Sequence, residues 1–108
     1  MPQQDLDISR SEEIILNVLY DRECYGLEII EIVSQASNGE NRINFGSLYP
    51  TLKRLSKKRL VESRWGDEKL PKRRGARRRY YITTLQGKRA VDNYQAFYQR
   101  LRACQFPT

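Results

Sequence analysis

The run Asn44-Phe45-Gly46-Ser47-Leu48-Tyr49-Pro50-Thr51-Leu52-Lys53-Arg54-Leu55-Ser56-Lys57-Lys58 decides how this chain is read. Leu48, Leu52 and Leu55 recur at i, i+4 and i+7, which places them on one face of a helix. Ser47, Lys53, Arg54 and Lys57 fall off that stripe, so the outward face starts short and polar and ends cationic. Asn44 can cap the start, and the cations of the last turn suit the negative end of the helix dipole. Pro50 lies near the start, where a missing backbone donor costs less than in mid-helix. A helix that is apolar inside and basic outside suits a DNA major groove. An ordinary amphipathic helix with a solvated basic face has the same pattern, so the flanking sequence must choose.

Upstream, Ser9-Arg10-Ser11-Glu12 has the spacing of a capping box. It predicts a helix from Arg10 to about Tyr20 with Ile14, Ile15, Val18 and Leu19 turned inward. After the polar break Asp21-Arg22-Glu23, a second helix is predicted from about Cys24 to Ser37. Leu27 and Ile30 face inward there, with Ile29 and Val33 as further core candidates, while Glu28 and Glu31 point out. Ser37-Asn38-Gly39-Glu40-Asn41 is a turn cluster. Two short helices, a turn and a basic third helix make a helix-turn-helix order.

Downstream, Leu60-Val61-Glu62-Ser63-Arg64-Trp65 alternates like a half-buried strand, and Arg79-Tyr80-Tyr81-Ile82-Thr83 reads as its partner. Between them Gly66 to Arg78 holds Pro71, Gly75 and the cations Lys69, Lys72, Arg73, Arg74, Arg77 and Arg78, a two-stranded wing with a basic tip. The plainer reading of that tip is a solvated basic loop. Thr84 caps a last helix reaching about Cys104, with Gly87 weakening its first turn. Val91, Tyr94, Tyr98 and Leu101 form a stripe at i, i+3, i+7 and i+10, with Phe97 beside it. So many aromatics on one terminal helix predict a twofold dimer interface; the alternative is a helix folded back on its own domain. The expected organisation is an arm at 1–8, a winged helix-turn-helix domain at 9–83 and a dimerisation helix at 84–108. The fold class is α+β, mostly α.

With 108 residues and 39% apolar side chains, the chain has room for one domain with a real core. No apolar run approaches a membrane span, and Met1 to Ile8 does not look like a signal peptide, so a cytoplasmic location is expected. Cys24 and Cys104 make no disulfide framework. The absence of histidine removes the usual zinc sites and catalytic triads, so neither a metal, a cofactor nor an enzyme is expected. Charge is segregated: residues 1–52 carry three basic against nine acidic side chains, and residues 53–89 fifteen against three, within an overall +7. One face therefore meets a polyanion, which charge alone leaves open among DNA, RNA and a membrane surface.

Taken together, Tyr25-Gly26-Leu27-Glu28-Ile29, Gly46-Ser47-Leu48-Tyr49-Pro50-Thr51-Leu52-Lys53-Arg54-Leu55, Leu60-Val61-Glu62 and Arg79-Tyr80-Tyr81-Ile82 with Thr84 and Gly87 resemble the PadR family of bacterial transcription regulators. The match runs from about Ser11 to Gly87. The single C-terminal helix resembles the short kind of the family, which includes some cyanobacterial clock-period modifiers. Two positions depart from the pattern. Arg59 stands where the family usually has glycine, so that turn is expected to be built differently, and Thr83 stands where it usually has leucine, which weakens a core contact. The resemblance implies a homodimeric repressor that binds an inverted repeat in double-stranded promoter DNA. The third helix would enter the major groove, the wing would reach phosphates or the minor groove, and the last helix would dimerise. Some members respond to small aromatic effectors at the dimer interface.

The residues and the resemblance together assign Asn44, Ser47 and Tyr49 to base edges or a phosphate. Lys53, Arg54 and Lys57 go mainly to phosphates, with Arg54 also a candidate for a guanine. Lys72, Arg73, Arg74, Arg77 and Arg78 of the wing would hold the flanking backbone or probe a narrow minor groove. Val91, Tyr94, Phe97, Tyr98 and Leu101 are expected at the dimer interface. Tyr94, Phe97, Tyr98 and Trp65 raise the question of an aromatic ligand, but aromatics more often fill cores. A redox role for Cys24 and Cys104 has little behind it. The rival readings are a non-specific nucleic-acid binder and a protein-interaction module built on the same scaffold.

Overall fold

The computed structural model describes residues 8–66 and 78–106. It runs α1 (Arg10–Val18), α2 (Gly26–Ala36), α3 (Phe45–Lys57), β1 (Val61–Trp65), β2 (Arg79–Thr83) and α4 (Leu85–Ala103). The strands pair antiparallel, with Val61 opposite Thr83 and Trp65 opposite Arg79. Cys24 and Tyr81 exchange backbone hydrogen bonds of 3.1 and 2.9 Å, which pins the α1–α2 connection to the outer edge of β2. Three helices and a two-stranded wing form the winged helix arrangement, and α4 leaves from the end of β2.

Three of the four helices, α1, α3 and α4, start at a residue whose side chain caps an exposed backbone donor. Ser9 and Glu12 make both halves of the predicted capping box. Asn44 Oδ1 accepts from the Ser47 N–H at 2.9 Å, and Thr84 Oγ1 accepts from the Gly87 N–H at 3.0 Å. The core joins Ile15, Leu16 and Leu19 of α1 to Ile29 and Val33 of α2 and to Leu48, Leu52 and Leu55 of α3. Leu60, Val61, Tyr81 and Val91 close it from the wing and from α4. Leu27, expected inward, is exposed instead. The core-facing stripe of α2 is Gly26, Ile29 and Val33, and Leu27 lies two residues, about 200° of helix, from Ile29.

The turn at Arg59 corrects the expectation that it would depart from the family's. Arg59 adopts φ +64°, the left-handed conformation that glycine takes freely. The Leu60 N–H reaches the Leu55 carbonyl at 2.9 Å and the Arg59 N–H reaches that of Ser56 at 3.0 Å, the paired bonds of a Schellman motif. Leu55 and Leu60, both buried, supply its apolar contact. The same turn receives α4: Thr84 Oγ1 donates to the Arg59 carbonyl at 2.9 Å and the Thr84 N–H to that of Leu60 at 2.9 Å. Gly87 now has a reason. A Cβ there would collide with the Leu60 carbonyl oxygen and lie 2.6 Å from Thr83 Cγ2.

Thr83 does more than weaken a contact. Its buried hydroxyl donates to the Leu16 carbonyl at 2.9 Å and its N–H to that of Leu19 at 3.0 Å. Both carbonyls lie at the C-terminal end of α1, where no helical donor follows.

Two substitutions test this junction in urea melts. Arg59→Gly relieves the left-handed arginine and raises stability by about 1 kcal/mol. Gly87→Ala pushes α4 off the turn and lowers stability by about 1–3 kcal/mol.

Candidate nucleic-acid interface

The inner boundary of the basic surface is set by an acidic residue. Glu12, 2% exposed, accepts from Arg54 Nε at 3.1 Å and from Lys58 Nζ at 2.9 Å, besides the Ser9 N–H. Arg54 also donates from its terminal nitrogen to Thr51 Oγ1 at 3.2 Å. Burial pushes the Glu12 carboxyl upward, but the Ser9 N–H and the two cations more than offset this and hold it below the 4.5 of a free glutamate. Arg54, 51% exposed, is thus partly committed to α1.

Lys53 and Lys57 are different. Both are exposed, and among the described residues no ion pair engages either. They lie on the outer side of α3 with Gly46 and Pro50, whose small profiles leave the helix backbone approachable. Pro50 is the sixth residue of α3, past the first turn whose donors lack helical partners, so it deprives the exposed Gly46 carbonyl of its helical partner.

At the leading end, Asn44 is engaged in capping, and the Ser47 hydroxyl donates back to the Asn44 carbonyl at 3.2 Å. The Tyr49 ring stacks on Phe45 with centroids 5.8 Å apart and planes 10° apart. Its hydroxyl sits over Gly26 at the start of α2, where any Cβ would strike it. The glycine of one motif and the tyrosine of the other are two halves of one helix–helix contact. The Tyr49 hydroxyl lies against α2, while the residue stays 45% exposed.

Between α3 and the sheet lies a hollow of about 320 Å³ lined by Tyr49, Leu52, Lys53, Ser56, Ser63, Arg79 and Tyr81. Lys53 supplies a cation from one wall and Arg79 from the other. Arg79 Nε donates to Ser63 Oγ at 3.0 Å, and its guanidinium lies over the Trp65 ring at 4.9 Å. The sequence reading missed Ser56, Ser63 and Arg79. Strand alternation puts Ser63, Trp65, Arg79 and Tyr81 on one face once the register is known, but nothing local fixes that register.

A stack on the other side of β2 fixes the base of the wing. Arg78 lies over the Tyr25 ring at 4.2 Å, Tyr25 meets Tyr80 edge-on at 5.5 Å, and Arg64 covers Tyr80 at 5.1 Å. Arg64 binds both oxygens of Glu23 at 2.7 and 2.8 Å, which lowers the Glu23 carboxyl below its usual value. Arg78 is therefore packed at the wing base. Lys72, Arg73, Arg74 and Arg77 lie outside the described residues.

On α4, Val91 corrects an expectation. It is buried in its own chain's core, because α4 lays its first turns against α1 and β2. Lys88 pairs with Asp21 at 2.9 Å and the Tyr20 hydroxyl donates to Asp92, fastening the same turns. Tyr94, half-buried, accepts from the Ile8 N–H at 3.4 Å. Beyond it Phe97, Tyr98 and Leu101 are exposed, and an open hollow of about 380 Å³ is lined by Asn93, Tyr94, Phe97 and Arg100. Trp65 stands apart from these aromatics, on the wing. Cys24 is buried, which raises its thiol pKa and dulls it, and Cys104 is exposed.

Helix-turn-helix, wing and cationic groove together define a winged helix DNA-binding regulator. Residues 15–93 match the model of the PadR-like family of transcriptional regulators. The chain belongs to that family, whose members are transcription regulators and not enzymes. A PadR-like transcription factor from Bacteroides fragilis superposes with a TM-score of 0.74 at 26% identity, covering 86% of this chain and 84% of that one. A PadR family regulator from Clostridium difficile gives 0.70 at 26%, covering 88% and 93%. The circadian clock associated protein Pex from Anabaena gives 0.63 at 25%, covering 93% and 80%. An uncharacterised protein of Lysinibacillus sphaericus is 32% identical over 88 residues, 82% of this chain and 77% of that one. Among the described residues no helix is long and apolar enough to cross a membrane, and no acidic or cysteine cluster suits a metal.

Because Glu12 titrates below its unfolded value, it contributes stability that is present above about pH 4.5 and lost as pH falls through the lowered folded value. Glu12→Gln is expected to cost about 1–3 kcal/mol at neutral pH. It should also flatten the acid limb of a stability-versus-pH curve from thermal melts.

Proposed function

We propose that this DNA-binding regulator acts as a homodimer that reads an inverted repeat in promoter DNA and represses by occupying it. The observation that carries the reading is the pair of exposed lysines on the outer side of α3, Lys53 and Lys57, which no ion pair engages among the described residues, with Arg79 facing Lys53 across the groove. Lys53, Lys57 and Arg79 would hold phosphates, with Ser47 and the free amide of Asn44 at base edges. Arg54 would contribute only where it turns from Glu12, and the wing tip, Lys72 to Arg77, would add backbone contacts.

In this reading α4 is the dimer element. Its second half presents Phe97, Tyr98 and Leu101 about half exposed, and an apolar stripe of this kind suits a twofold partner. Recognition would then rest with the winged helix head, which takes in the first turns of α4, and assembly with the second half of α4. Two third helices set about one DNA turn apart would read a pseudo-palindrome. A small aromatic effector would find the hollow beside Phe97 and Tyr94, but the dimer seam accounts for the same side chains without one.

Binding to duplex DNA from upstream of its own gene, against excess random duplex, tests the proposal. Retained binding with a twofold-symmetric footprint is expected; binding lost to the competitor would leave a backbone binder. Leu101→Glu should convert the dimer to a monomer in sedimentation equilibrium. It should also weaken binding to a full site at least tenfold while leaving the melting temperature of the head little changed.

A further inference from the structure

Phe45 is the first residue of α3 and is 48% exposed, with the Tyr49 ring, 45% exposed, beside it. One face of its ring is packed parallel to Tyr49, and its edge reaches Gly26 at the start of α2, so its position is fixed before any partner arrives. Phe45, Tyr49 and Lys53 follow one another at i, i+4 and i+8, a single row that begins in a half-exposed phenyl ring and ends in an exposed cation. The core does not need this ring, and capping is done by Asn44.

We infer that Phe45 is a specificity-determining residue that packs on the C5-methyl group of a thymine. The inference rests on the proposed reading of α3 as the DNA-recognition helix. Residues at the N-terminal end of such a helix are the ones that reach base edges. The phenyl ring has no donor or acceptor, so it cannot read the hydrogen-bonding pattern of the major groove. The thymine methyl is the apolar feature of that groove, and phenylalanine suits it. Cytosine at the same place presents only a C5 hydrogen to the ring, so the methyl contact is lost. The pre-stacked ring enters with little rotamer freedom to lose, which sharpens the discrimination.

The test uses the duplex selected by the purified full chain from a random 30-base-pair library, with each thymine replaced in turn by deoxyuridine, which removes the methyl alone. At one thymine in each half-site the replacement is expected to weaken the wild-type protein about fourfold, the worth of one buried methyl-sized group. Phe45→Ala should bind the thymine and deoxyuridine duplexes equally at that position, whereas Phe45→Leu, still apolar, should keep part of the preference. Thermal melts of both variants confirm that the half-exposed site leaves the fold intact. A selected duplex whose deoxyuridine scan is the same for wild type and Phe45→Ala overturns the thymine contact while leaving the recognition helix standing. Selection that yields no preferred duplex overturns the recognition-helix reading and this contact with it.

Discussion

A buried carboxylate organises the basic half of this protein. Glu12 belongs to α1, where it closes a capping box, yet its two oxygens bind Arg54 in the last turns of α3 and Lys58 at its C-cap. A carboxylate this deep is tolerated only with its charge answered and its lone pairs satisfied. Ser9, Arg54 and Lys58 meet both requirements. The arrangement fixes the rotation of α3 about its own axis, since Arg54 and Lys58 must face α1 while Leu48, Leu52 and Leu55 face the core. That rotation leaves Lys53 and Lys57 outward.

A second constraint lies at the other end of α3. The Arg59–Leu60 turn terminates the helix, begins β1 and accepts the first turn of α4 through Thr84. With Gly87 pressed on the same carbonyl, the direction in which α4 leaves the head is set by backbone contact and not by adjustable side chains. In the proposed dimer the two recognition helices need a fixed spacing, and a rigid exit for α4 would set it. The arginine in a left-handed conformation is local strain accepted to keep that geometry.

Much of this was legible in the chain. Caps at Ser9, Asn44 and Thr84 and the leucine stripe of α3 gave the helices their places, because capping and periodicity are local. The wing followed from alternation in two short runs. What escaped was whatever depended on tertiary contact. The partition of α3's cations required knowing that Glu12, 42 residues from Arg54 in sequence, would be buried beneath them. Arg79 and Ser63 meet Lys53 only once strand register brings them there. Leu27 and Val91 changed sides because an apolar residue near the edge of a stripe is assigned by its neighbours, not by its period. The packing of Tyr49 on α2 was hidden because the other half of that contact, Gly26, has no side chain to announce it.

The central claim is that Glu12 sorts the cations of α3 into those that hold the fold and those that hold DNA. The salt dependence of binding to one selected duplex, measured for Lys53→Ala, Lys57→Ala, Arg54→Ala and Lys58→Ala, examines it directly. The two outward lysines should each flatten the slope of log affinity against log salt by about 0.9. The two cations bound to Glu12 should leave the slope nearly unchanged and lower the melting temperature instead. Slopes flattened by Arg54→Ala and Lys58→Ala, with Lys53→Ala and Lys57→Ala silent, would contradict the account.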